Sequence, residues 1–130
     1  MAYFKYVASR DQYERGQCSS KDMRDFFSYG WWQVTKVFEG RLFYNSYFYS
    51  ATTAKHQSWI RQEVSGYFSI EAPDGLQDLT SKDIVLMLLE EKAELELKIP
   101  KGRGQTNDYR KQRLSDIGVM LDYLADRVEV

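Results

Sequence analysis

The sequence predicts an α+β fold: a small antiparallel sheet with an aromatic-rich central hairpin, followed by a C-terminal antiparallel helical hairpin. Three observations carry this expectation. Eleven of the twenty aromatic residues fall between Phe26 and Tyr49, eight of them in two runs of aromatic and β-branched residues on either side of Glu39-Gly40. The last part of the chain instead spaces its apolar residues three and four apart, at Leu114, Ile117, Leu121, Leu124 and Val128. With 130 residues, 43% apolar and 28% charged, the chain has the size and composition of one domain with one core. Residues 1–72 form its sheet-containing part and 79–130 its helical hairpin.

The elements follow in order. Tyr3 to Ala8 reads as a short strand that the polar run Ser9 to Gln17 breaks. A short helix is predicted next, because Ser19 or Ser20 can accept free backbone amides at its start, Asp22 suits the first turn and Gly30 supplies a stop. Trp31 to Phe38 and Leu42 to Tyr49 form the β-hairpin. Its register is open between a two-residue turn and a three-residue loop with a glycine bulge, since Gly40 accepts positive φ and Glu39 resists it. A two-residue turn puts Trp32, Val34, Lys36 and Phe38 on one face with Arg41, Phe43, Asn45 and Tyr47, and either register leaves large rings on both faces.

Thr52 or Thr53 can cap a helix running to Ser65 and ended by Gly66. Tyr67 to Ala72 alternates as a short strand with Phe68 and Ile70 inward, before the Pro73-Asp74-Gly75 turn. Thr80 with Asp83 resembles a capping box and opens a helix to about Lys98, on which Leu86, Leu89, Ala93 and Leu97 share a stripe. Alternation of Leu95, Leu97 and Ile99 offers a strand over 94–99 as the alternative. Pro100, Gly102 and Gly104 make a connector, and Thr106 or Asn107 opens a last helix that should pack antiparallel on its predecessor.

Over the first 72 residues the order is strand, helix, strand, strand, helix, strand. It matches the ferredoxin-like arrangement, with a simpler α+β layout around one antiparallel sheet as the alternative. The third strand begins with Arg41, carries Phe43 at an aromatic position, and is followed by the helix over Ala51 to Ile60. In this layout about half the chain resembles the RNA recognition motif, whose central-strand aromatics stack bases, and the resemblance implies binding of single-stranded nucleic acid. The sequence departs from that pattern at Leu42 and Tyr44, where small residues are expected, and at Asn45 and Ser46, where an aromatic and an aliphatic are expected.

Chemistry is bounded by scarcity. Cys18 is the only cysteine and His56 the only histidine, which excludes an intrachain disulfide, a thiolate zinc site and a two-histidine metal site. A reducing, cytoplasmic setting is expected, with neither export nor membrane insertion, because Met1 to Arg10 has no leader pattern and the longest apolar run, Ile84 to Leu89, is too short to span a bilayer. Gly102-Arg103-Gly104 lacks the lysine of a phosphate loop, and Glu90 and Glu94 read as a solvated helix face rather than a catalytic pair. No catalytic residue, metal or cofactor is expected. The net charge of −1 weighs against binding a nucleic acid backbone with the whole surface, but Lys98 to Arg113 holds six basic residues against Asp108.

The candidate binding residues are therefore Arg41, Tyr44, Tyr47 and Tyr49 of the hairpin, with Lys101, Arg103 and Arg110 of the connector and last helix. They point to a small non-catalytic interaction protein that engages a larger protein or nucleoprotein complex, of the kind phages and mobile elements encode as inhibitors of host systems. The alternative is a single-stranded nucleic acid or nucleotide-binding protein that stacks aromatics and reads phosphate with the basic loop.

Overall fold

The computed structural model describes residues 18–20 and 24–128. Among them lie three α-helices and two three-stranded sheets, an α+β chain. The chain divides into two compact units, Met1–Asp78 and Leu79–Val130. The predicted strand Tyr3 to Ala8 lies outside the described residues.

In the first unit, the helix expected between Ser19 and Gly30 is replaced by strands β1 (Cys18–Ser20) and β2 (Phe26–Ser28), paired antiparallel. The serines that suggested a helix cap lie in a strand instead. Phe26, Phe27 and Tyr29 are poor helix formers, and Phe26 and Ser28 are buried while Phe27 between them is half-buried, a period of two. Gly30 closes a hairpin rather than a helix, since β2 pairs with β3 (Trp32–Gln33) through Ser28↔Trp32.

The strand predicted from Trp31 to Phe38 bends at Val34. Its N–H donates to the Phe26 carbonyl at 2.8 Å and its carbonyl accepts from the Asn45 N–H at 2.7 Å, so this residue joins the two sheets. Beyond it, β4 (Thr35–Phe38) and β5 (Arg41–Asn45) form a hairpin with Phe38 opposite Arg41. Glu39 and Gly40 sit at φ 50° and 80°, so the turn has two residues and both are left-handed, the form that matches strand twist. Helix α1 (Ala51–Glu63) starts two or three residues earlier than predicted, with Ser50 as its cap accepting from the Thr53 N–H at 3.1 Å. Strand β6 (Phe68–Ile70) then pairs parallel and directly with β5, Phe43 opposite Phe68. Here the order departs from the ferredoxin-like arrangement, whose βαβ units are split by an intervening strand.

Rings fill both faces of this sheet. Tyr44 joins Cys18, Phe26, Trp32, Val34, Trp59 and Ile60 in the main core, with Tyr47, Val64 and Tyr67 packed against it. On the other face Phe43 meets Phe38 and Phe68 edge to face, each at 5.4 Å between centroids.

In the second unit, α2 (Ser81–Lys98) opens with the Thr80 and Asp83 capping box. The Asp83 N–H donates to Thr80 Oγ1 at 3.2 Å and the Thr80 N–H to the Asp83 carboxylate at 2.8 Å. These bonds from Thr80 hold the Asp83 carboxyl below its ordinary range. Residues 94–98 are helical and Ile99–Lys101 continue as one 3₁₀ turn, so the alternative strand over 94–99 does not form. Helix α3 (Gly104–Ala125) begins before Thr106. Arg113 makes a bidentate pair with Glu91 at 2.7 and 2.9 Å, while Val85 and Leu89 line a cavity with Leu121 and Leu124, so the two helices run antiparallel. Among the described residues no helix is long and apolar enough to cross a membrane.

Candidate functional site

The predicted site residues fall on both units. Arg41, Tyr44, Tyr47 and Tyr49 belong to the first, and Lys101, Arg103 and Arg110 to the second. The three basic residues stay near the α3 N-terminus, where Lys101 and Arg103 are exposed and Arg110 is half-buried beside Gly102.

Two hairpin residues are already occupied. Arg41 lies 4.1 Å over the Phe68 ring and donates through Nε to the Gly66 carbonyl at 2.9 Å, which ties β5 to the turn before β6. Tyr44 is 2% exposed and points its hydroxyl at the Gln57 carbonyl, 3.4 Å away. Burial pushes its phenol up to about 12, against the opposing pull of the Arg61 guanidinium. Tyr44, expected at the binding surface, is packed in the core. Tyr47 is half-buried against that core, and Tyr49 is exposed.

Around Tyr49 a different surface is built. Tyr29, Trp31, Phe48 and Tyr49 are 37, 49, 67 and 43% exposed. Trp31 stands edge-on to Tyr49 at 6.0 Å and 84°, and Tyr49 leans on the buried Trp32 at 5.3 Å. Trp32 is itself fixed, its indole N–H donating to the Pro73 carbonyl at 3.1 Å.

Both segments that carry the exposed rings are pinned from below. Ser28 Oγ lies 2.6 Å from His56 Nδ1 and 2.8 Å from Thr53 Oγ1, all three residues fully buried, so the 29–31 turn is anchored on α1. The His56 ring also meets Tyr29 at 5.8 Å and Trp59 at 5.7 Å. The second segment, 46–50, is held at its start by Asn45. That side chain donates to the Ala72 carbonyl at 2.9 Å and accepts from the Ala72 and Tyr47 N–H groups at 3.0 and 3.1 Å. Gln57 Nε2 adds bonds to the Asn45 and Tyr47 carbonyls at 2.7 and 3.0 Å, and Ser50 caps α1 at the far end. Between these clamps Phe48 and Tyr49 project outward.

Backbone conformation marks the same place. Tyr29 adopts φ 57°, a left-handed conformation that is costly for a residue with a bulky side chain, next to Gly30 at 76°. Tyr29, Trp31 and Phe48 were not singled out as site residues by the sequence. The available signal was Tyr29-Gly30-Trp31, two aromatics around a glycine between strand-forming runs, which in a turn must point outward.

This arrangement offers exposed aromatic rings on segments held from below by buried hydrogen bonds. The Ser28 and His56 pair is fully buried, and no group of three His, Cys, Asp or Glu residues able to hold a metal occurs among the described residues. Comparison with protein-family models, curated proteins and solved structures returns no match.

Proposed function

We propose that this is a non-catalytic interaction protein that engages a larger protein through Tyr29, Trp31, Phe48 and Tyr49. The observation that carries this reading is the exposed edge-to-face pair of Trp31 and Tyr49, clamped from both sides by buried hydrogen bonds. Tryptophan and tyrosine are the side chains that most often dominate interface energetics, and anchors held in place before binding lose little conformational entropy when a partner arrives. The left-handed Tyr29 supports the same reading, since glycine or asparagine would form that turn with less strain.

The test is the double variant W31S/Y49S. Both side chains are exposed, so the thermal melt should stay close to that of the parent chain, while capture of a protein partner from the native cell extract should be lost. Unchanged capture would refute the assignment. Salt-sensitive binding of single-stranded oligonucleotides that W31S/Y49S abolishes would reassign the surface to nucleic acid.

A further inference from the structure

Helix α2 carries more apolar surface than a two-helix hairpin uses. Ile84 and Leu88 are buried, with Leu95 half-buried on the same side of the helix. At about 100° per residue, Leu86, Ala93 and Leu97 lie about half a turn away from them, with Leu89 at the shoulder. The sequence predicts one stripe through Leu86, Leu89, Ala93 and Leu97, and the structure leaves it in solvent, with the three leucines 47, 43 and 69% exposed. Leu89 is also the rim of the cavity it forms with Val85, Leu121 and Leu124, a socket into which a side chain from outside can insert.

We propose that this leucine stripe is the docking face for a basic amphipathic helix of a partner protein, a second surface distinct from the aromatic one. Spacings of three and four along α2 are those by which one helix lies against another. The charges beside the stripe choose the occupant. Glu90 and Glu94 flank it on one side and Glu96 on the other, Lys82 falls on the stripe one turn before Leu86, and Lys92 and Lys98 lie farther round the helix than the glutamates. Glu90 and Glu96 form no ion pair among the described residues, and Glu94 has only a loose 3.9 Å contact with Lys98 on the surface. An apolar strip with acidic shoulders is complementary to a helix whose leucine-like strip has lysine or arginine shoulders.

A second copy of this chain fits poorly. Antiparallel pairing of two α2 stripes that sets Leu86 against Leu97 brings Glu90 and Glu94 of each copy into the same central turns, and it sets Lys82 against Lys101. Parallel pairing sets the flank with Glu90 and Glu94 of one copy beside the flank with Glu96 of the other. Both arrangements bring like charges together at the contact.

The experiment uses the full chain and a labelled 18-residue peptide of leucine and lysine with its leucines on one helical stripe, read by fluorescence anisotropy. A peptide with glutamate in place of lysine is the control. Saturable binding of the lysine peptide is expected, at least tenfold tighter than that of the control. L86Q/L97Q should weaken it about tenfold, because two partly exposed leucines lose the apolar surface they would bury. E90Q/E96Q should weaken it and flatten its dependence on salt, and W31S/Y49S should leave it unchanged. L86Q/L97Q alters only exposed positions, so its circular dichroism melt should match the parent. Equal binding of both peptides, or no effect of L86Q/L97Q, would overturn the proposal. So would a dimer in sedimentation equilibrium that L86Q/L97Q turns into a monomer, because the face would then belong to a second copy.

Discussion

Replacing Asn45 by alanine should be the most damaging single change to the loop that presents Tyr49. Asn45 is fully buried and its amide makes three bonds, one to the Ala72 carbonyl and two from the Ala72 and Tyr47 N–H groups. Each such bond contributes about 1 kcal/mol net, and a buried group left without a partner costs about 1–3 kcal/mol, so N45A should lose roughly 3–4 kcal/mol. Gln57 makes two bonds to the same segment, and Q57A should lose roughly 2 kcal/mol by the same reasoning. All three tryptophans, Trp31, Trp32 and Trp59, belong to the first unit, so tryptophan fluorescence during urea unfolding reports that unit alone. With a urea slope of about 1 kcal/mol per M for a unit this small, the N45A midpoint should fall by roughly 3 M and the Q57A midpoint by roughly 2 M. A loss below about 1 kcal/mol for N45A would refute the claim that this side chain clamps the loop, as would a larger loss for Q57A than for N45A.

Three further outcomes follow from the same structure. The Tyr44 phenol, raised to about 12 from an ordinary 10.0, favours the neutral form in the fold. Its contribution is complete below pH 10 and falls away between pH 10 and 12, at up to about 1.4 kcal/mol per pH unit, so Y44F should flatten the alkaline stability curve in that window. E39G and Y29G each relieve a left-handed side-chain-bearing residue and should each raise the first unit's stability by about 1 kcal/mol in urea titrations, but only Y29G should weaken partner capture. R113A removes the bidentate pair with Glu91, whose partners are part-exposed, and should cost the helical unit about 1 kcal/mol or less, with the loss shrinking at high salt in circular dichroism melts.

The legible parts of the fold were those with local causes. Thr80 and Asp83 announced the start of α2 because a capping box is satisfied within four residues. Ile117 and Leu124, three or four residues from other apolar positions, marked the buried side of α3. The misreadings needed information from distant residues. Ser19 and Ser20 look like a helix cap until Phe26 to Ser28 pair with them, and nothing local reveals that pairing. The stripe through Leu86 and Leu97 had the right period for a core, but α2 has apolar residues on two sides and only packing decides which side faces α3. The same limit applied to the site. Tyr44 and Tyr49 are equally plausible anchors by composition, and the choice between them rests on α1 covering the Tyr44 face of β5, which placed Tyr44 in the core.

Site-specific photo-crosslinking tests the central claim most directly. A photoreactive phenylalanine analogue would replace Trp31, Tyr49 or the exposed Glu63 of α1, one at a time, in cells that express the chain. Positions 31 and 49 should yield an adduct to the same protein partner, and position 63 should not. No protein adduct from 31 or 49, or the same adduct from 63, would contradict the assignment of the Trp31 and Tyr49 surface as the partner-binding site.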